Sequence, residues 1–203
     1  GLDTSENSAP YPAAVFNRGT FNLCGGKITG NKSHAVYNEN ATMNLYGGEI
    51  SGNDTTYTDA SAGAAVVLVS GSTLNMSGGT IKDNISNTLG GGVYAKGIQS
   101  RSSTLNFSGG EISGNRVNST NDDLGFDGGG GVYVDLYATL DLSGTARISG
   151  NYACAVDYKE SATFGGGFGG GVYVAGTFNM RGGEICDNFA GLANYKNLSL
   201  IHI

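Results

Sequence analysis

Polar and apolar residues alternate along this chain in short bursts, and the bursts return. Six segments share one pattern: TFNLCGGKITGN from Thr20, TMNLYGGEISGN from Thr42, TLNMSGGTIKDN from Thr73, TLNFSGGEISGN from Thr104, TLDLSGTARISGN from Thr139 and TFNMRGGEICDN from Thr177. Within each, Thr-x-Asn-x places polar side chains on one face and Phe, Met or Leu on the other, the period of a strand with one buried side. A Gly-Gly corner follows, then a single inward isoleucine (Ile28, Ile50, Ile81, Ile112, Ile148, Ile185), then Gly-Asn or Asp-Asn at a second corner. Both residue types accept the left-handed backbone that such corners need. The phrase GGGVYV or GGGVYA, beginning at Gly90, Gly129 and Gly169, supplies a third short strand.

Three strands joined by corners close one coil, and coils stack in parallel at about 4.8 Å. The closing asparagines, Asn31, Asn53, Asn84, Asn115, Asn151 and Asn188, are separated by 22, 31, 31, 36 and 37 residues. The element is constant and the spacer is not, so the spacer carries loops. Freely varying coil length excludes the six-residue rhythm of left-handed helices. The fold expected is all-β: a right-handed parallel β-helix, a solenoid of about six coils of three short strands, standing about 29 Å tall at that spacing. Stacking places like residues in columns, and the six asparagines are expected to form a structural ladder in which each amide bonds the next.

Composition narrows the function classes. The 36 glycines lack a collagen period, and apolar residues recur in register between them, unlike a flexible linker. The chain carries 11 Lys and Arg and a net charge of −6, without the basic stripe that nucleic acid requires. No apolar run approaches the length of a transmembrane segment. Cys24, Cys154 and Cys186 are too few and too odd for a disulfide framework and read as inert small residues, Cys154 in a loop. The pattern implies no cofactor and no metal site.

The pairing of GGGV with IxxN resembles the repeats of polymorphic outer-membrane proteins and adhesin-like surface proteins of bacteria, whose β-helices share the pectin-lyase-like architecture. The resemblance spans Ala13 to Ala190 and implies an extracellular or cell-surface setting. That fold hosts lyases, hydrolases, adhesins and passive stalks alike, so the resemblance speaks to fold and not to activity. Ladder positions Asn31, Asn53 and Asn84 also read as N-x-S/T glycan acceptors, and a glycan there would break the stack. This favours a bacterial chain.

The chain divides into a leader segment (1–12), the repeat domain (13–190) and a non-repeat tail (191–203). The last six residues, LSLIHI, resemble the translation of a transposon mosaic end. They are expected to be foreign, with His34 the single native histidine and the native chain continuing into neighbouring coils.

Three surfaces are candidates for binding. The outward column of the Val-Tyr-Val strand reads Phe16, Tyr37, Leu68, Tyr94, Tyr133 and Tyr173. Flat rings in a row can stack on sugar faces; the competing reading is that they stack on one another or lie under loops. The second surface is the threonine column Thr20, Thr42, Thr73, Thr104, Thr139 and Thr177. It is like an ice-binding face, but asparagine in the adjacent column argues for ordinary ladders. Third, the loops 54–63, 116–128 and 152–167 emerge on one corner and hold Asp122, Asp123, Asp127, Asp157, Lys159 and Glu160. No catalytic residues stand out. The expected function is a non-catalytic stalk or adhesin-like module whose partner is a carbohydrate or a host or cell-surface ligand. The alternative is a polysaccharide lyase or glycoside hydrolase of the same fold, with ice binding more distant.

Overall fold

A computed structural model of the chain describes residues 12–57, 64–119, 128–155 and 167–192. Among these the only helix is one 3-10 turn, Thr55–Tyr57. Everything else regular is strand, and every sheet is parallel: the chain is a parallel β-helix. A right-handed course is the one that parallel crossover connections adopt.

The first sheet stacks Ala13–Asn17, His34–Glu39, Val66–Val69, Val93–Ala95, Val132–Val134 and Val172–Val174. The second stacks the six Thr-x-Asn-x strands, Thr20–Leu23, Thr42–Leu45, Thr73–Met76, Ser103–Phe107, Ala138–Leu142 and Thr177–Met180. The third stacks the isoleucine strands from Lys27–Thr29 to Glu184–Cys186. Register is residue on residue: Ile28, Ile50, Ile81, Ile112, Ile148 and Ile185 form one column. These inward columns make one continuous core, in which Met43, Ile50, Leu74, Ile112 and Leu140 have no exposed surface. Each such side chain stabilises the coil by about 1.5–3 kcal/mol through burial.

A fourth sheet was not expected. Ile85–Ser86, Arg116–Ser119, Tyr152–Ala155 and Phe189–Leu192 pair in the third to sixth coils, directly after the ladder asparagine. Cys154, placed in a loop from the sequence, therefore lies on a strand and is buried. The cause is alternation: Ser86, Val117 and Ala153 point inward with no exposed surface, while Arg116 and Tyr152 point out.

The triple glycines occupy the corner where this fourth sheet meets the next coil. The first of each triplet, Gly90, Gly129 or Gly169, has a left-handed φ of 63°, 68° or 61°. The second has no room for a side chain, because a Cβ on Gly130 would lie 2.4 Å from the Gly170 oxygen and the Tyr152 carbonyl carbon. The third lies against the ladder, where a Cβ on Gly131 would meet Asn151 Nδ2 at 2.9 Å.

His34 is buried in the first sheet, with Nδ1 2.7 Å from the Ala64 carbonyl oxygen, which it reaches as an N–H donor. Burial lowers its pKa from the ordinary 6.5, partly offset by that hydrogen bond. A lowered folded pKa means that the folded state holds fewer protons than the unfolded chain. Its contribution is full above about 6.5 and is lost as the pH falls toward the lowered value. The urea midpoint is therefore expected to fall between neutral and mildly acidic pH, and His34→Phe to flatten that slope. An unchanged slope in the variant would assign the pH dependence elsewhere.

Candidate functional site

The ladder is present in full. Asn53 Nδ2 donates to Asn84 Oδ1 at 2.9 Å, Asn84 to Asn115 at 2.8 Å and Asn115 to Asn151 at 3.0 Å, with Asn31–Asn53 and Asn151–Asn188 continuing it at 2.7 and 2.9 Å. Each backbone N–H donates to the same oxygen, as Asn84 N does to Asn115 Oδ1 at 3.2 Å. The second amide hydrogen reaches back to an isoleucine carbonyl, Ile81 for Asn115 and Ile112 for Asn151. Asn53, Asn84, Asn115 and Asn151 are fully buried, and this saturation is what allows burial of so many amides.

A second ladder runs along the outer face of the Thr-x-Asn strands. Here the donor direction reverses: Asn44 donates to Asn22, Asn75 to Asn44 and Asn106 to Asn75, each at 2.8 Å. Asp141 interrupts it, since a carboxylate cannot donate onward. Arg181 Nη1, at 2.7 Å, and Asn179, at 3.0 Å, donate to Asp141 instead and hold its carboxyl below the usual range. The threonines do align in one column beside these amides. The adjacent amides bond one another, as ordinary ladders do.

The aromatic column differs from expectation in two respects. Val67, not Leu68, stands between Tyr37 and Tyr94; Leu68 is paired with Asn38 and Ala95 and points into the core. The column is also largely covered. Tyr37, Tyr94 and Tyr133 are buried, and they form a second apolar cluster with Ala64 and Val67, joined by Leu89 and Tyr173. Phe16 and Tyr37 stack at 5.4 Å, and Tyr133 and Tyr173 at 4.5 Å, with Tyr94 tilted against Tyr133 at 5.6 Å. Val67 separates the two groups of rings. Of the five proposed sugar-stacking rings, Phe16 is open to solvent and Tyr173 is half-buried. The rings of this column pack on one another, and the central ones lie within the buried cluster.

Tyr94 is also tied to the next coil, its hydroxyl donating to Asp135 Oδ2 at 2.8 Å. Tyr94→Phe removes a bond to a charged acceptor and is expected to lower stability by about 1–2 kcal/mol. A change within error of zero in the urea midpoint would show that solvent replaces the bond.

Charged groups gather on the outer face of the third sheet. Lys27 and Lys82 flank Glu49 at 3.4 and 3.5 Å, and Arg147 lies between Glu111 and Glu184 at 3.4 and 3.2 Å. Arg147 Nη2 also donates to Cys186 Sγ at 3.0 Å. Burial nonetheless pushes the Cys186 thiol pKa up, and that of Cys154 likewise. Both remain neutral thiols at neutral pH, which is not the state of a nucleophile. Among the described residues no three His, Cys, Asp or Glu side chains are grouped to hold a metal ion, and no helix is long and apolar enough to cross a membrane.

The variable segments do leave from one corner. They join the fourth sheet, or its counterpart near Thr55–Tyr57, to the next strand of the first sheet, and their return points stack through the bridges Leu89–Gly128 and Gly128–Phe168. Asp122, Asp123, Asp127, Asp157, Lys159 and Glu160 lie outside the described residues. The outward column of the fourth sheet borders this corner and was missed from sequence. Arg116 lies 5.9 Å over the Tyr152 ring, and Tyr152 sits 5.2 Å from Phe189. The signal for it was the alternation after each ladder asparagine in NRVNS, NYACA and NFAGL.

Searched against protein-family models, curated proteins and solved structures, the chain matches none of them.

Proposed function

We propose that this chain is a non-catalytic module of a bacterial cell surface, a stalk of the adhesin-like kind that carries variable loops along one edge. The observation behind this reading is where the polar side chains of the coils go. Both asparagine columns bond to themselves from coil to coil, one inside and one outside. The third-sheet charges likewise pair along their own column. Coil side chains engaged in this way hold the stack together, and the spacer segments are the part of each coil left to vary. A carbohydrate or other cell-surface ligand would meet the module at the loop corner, because the central tyrosines are buried. Full burial of Asn53 and Asn84, both in N-x-S/T contexts, supports an origin without glycosylation at those positions.

The test is incubation of the full chain with acidic and neutral polysaccharides, with and without Ca²⁺, beside a glycan-array screen. The expected result is no oligosaccharide release. Product release would overturn the reading in favour of a lyase or hydrolase.

A further inference from the structure

The three long spacers share one corner, but a shorter insertion leaves from another. In the fourth coil, between Val93–Ala95 of the first sheet and Ser103–Phe107 of the second, the stretch Lys96-Gly97-Ile98-Gln99-Ser100-Arg101-Ser102 folds into a small hairpin. In the fifth coil the same corner is Asp135-Leu136-Tyr137. We propose that these two turns, in the middle of the solenoid, bind a saccharide that carries a carboxylate, with Tyr137 and its apolar neighbours under the sugar ring and Arg101 on the carboxylate. The site is separate from the loop corner and holds whether or not the loops bind anything.

The first observation is an aromatic side chain where the backbone does not favour one. Ile98, Leu136 and Tyr137 are 43%, 58% and 49% exposed. Tyr137 is held at a left-handed φ of 57°. The equivalent positions in the second and third coils, two residues before the column threonine, are Asn40 and Gly71, at φ of 49° and 88°. Asparagine and glycine accept that backbone, whereas for a bulky residue it is an outlier of the kind that gathers at binding sites. The corner can be turned by either of those residues, so the ring is not what the turn requires.

The second observation is that bare backbone makes room for both turns. A Cβ on Gly97 would lie 1.8 Å from the Tyr137 oxygen and 2.9 Å from Tyr137 Cβ, and one on Gly71 would lie 3.0 Å from Arg101 Cβ. Ile98 and Arg101 exchange N–H···O bonds of 2.9 Å. Gly97 N donates to Leu136 O at 3.3 Å and Ser103 N to Tyr137 O at 3.1 Å, which ties the hairpin to the next coil. Ser103 Oγ donates to Lys96 O at 2.8 Å and closes the hairpin's base. The apolar residues and Arg101 are thus fixed on adjacent coils beforehand, which lowers the ordering cost of binding.

Charge and size select the occupant. Among the described residues every lysine and arginine except Arg101 and Arg116 lies within 4.0 Å of a carboxylate. Arg116 lies over the Tyr152 ring; Arg101 is exposed, its stem against Gly71. The carboxylate of these turns, Asp135, already accepts from the Tyr94 hydroxyl at 2.8 Å and the Leu136 N–H at 2.7 Å. A guanidinium fork matches a carboxylate with two parallel bonds. Three half-open apolar side chains offer on the order of 300 Å², while a stable protein partner needs about 800 Å² from each side. That area suits one or two sugar rings, whose C–H faces pack on an aromatic ring. From the Gly71 coil to the Tyr137 coil is two steps of about 4.8 Å, within the reach of a disaccharide.

The experiment is calorimetric titration of the full chain with tetragalacturonate and with sialyllactose, beside their uncharged counterparts, the tetragalacturonate methyl ester and lactose. At least one acidic saccharide is expected to bind, and its uncharged counterpart about tenfold more weakly. Arg101→Gln is expected to abolish that tenfold preference. Tyr137→Gly is expected to weaken acidic and uncharged forms alike by about three- to tenfold, and to leave the urea midpoint unchanged or higher, since glycine takes this φ freely. Arg116→Gln, on the loop corner, is expected to change neither. Absence of binding by both acidic saccharides overturns the inference. Equal binding of the uncharged counterparts overturns the role of Arg101. Binding that survives both Tyr137→Gly and Arg101→Gln places the saccharide elsewhere and overturns this site while leaving the surface role standing. Capture by anionic phospholipid vesicles without binding of either free saccharide overturns it in favour of a membrane surface. Failure of the non-catalytic reading would show separately, as product release in the same samples.

Discussion

Asn115→Ala is expected to lower the unfolding free energy by about 3–5 kcal/mol. The side chain is fully buried and takes part in four hydrogen bonds. Its oxygen accepts from the backbone N–H and the amide of Asn84, and both donors would be left buried without an acceptor. Each such loss costs about 1–3 kcal/mol. The Ile81 oxygen and Asn151 Oδ1 lose less, since a carbonyl oxygen has two lone pairs and Asn151 Oδ1 still accepts from the Asn115 backbone N–H. The comparison is Asn106→Ala on the outer ladder, which removes an exposed bond and is expected to change stability by less than about 0.5 kcal/mol. Equal shifts of the two urea midpoints would mean that the inner ladder is no more important than a surface contact. Asn115→Asp adds a pH signature. Its second oxygen would face the Ile81 carbonyl and the Asn151 oxygen, so the folded state favours the protonated acid and raises its pKa. Stability is then highest below the unfolded value of about 3.9 and is lost as pH rises through the raised one.

Gly130→Ala is expected to cost about 3 kcal/mol or more, and to lower the soluble yield. The added Cβ would sit 2.4 Å from the Gly170 oxygen and from both the Tyr152 carbonyl carbon and oxygen. All three obstacles are backbone, so no side chain can rotate out of the way. Either the fourth-sheet strand Tyr152–Ala155 or the next coil must move. Moving that coil stretches the bonds from Gly130 N to Gly169 O and from Gly131 N to Gly171 O, both 3.1 Å. Gly25→Ala serves as the control, because a Cβ there meets nothing within 4 Å. It is expected to stay within about 0.5 kcal/mol of the wild type. Matching losses at both glycines would show that the penalty comes from glycine chemistry in general and not from close approach of the fourth sheet.

Much of the fold was legible because a solenoid repeats its physics. Each coil buries its apolar face only against its neighbours, so Ile28, Ile50 and Ile81 must recur if they are to share a column, and the polar Thr and Asn between apolar residues phase every second-sheet strand. The phase failed where that alternation failed. Val66-Val67-Leu68-Val69 carries no polar residue, and a slip of one position exchanges the two faces of a strand. Leu68 was therefore read as outward, while pairing with neighbouring coils turns it inward and puts Val67 in the aromatic column. The fourth sheet was overlooked for a related reason. Its strands follow the asparagine at the start of segments whose length and composition vary, and four residues of alternation are easily taken for loop.

The columns, the glycine corners and the ladder asparagines could thus be read from residue order alone, because register in a stacked helix is a local property repeated six times. Exposure could not be read that way. Whether a tyrosine outside the coil meets solvent depends on what packs over it, and residues such as Ala64 and Leu89 come from spacers that share no repeat. Direction was likewise hidden. An asparagine ladder can donate up or down the stack, and the opposite senses of the inner and outer ladders arise only when side chains pack against neighbouring coils. Burial and donor direction are properties of the assembled stack. They make the central tyrosines of the outward column part of a buried apolar cluster and set the two ladders running in opposite senses.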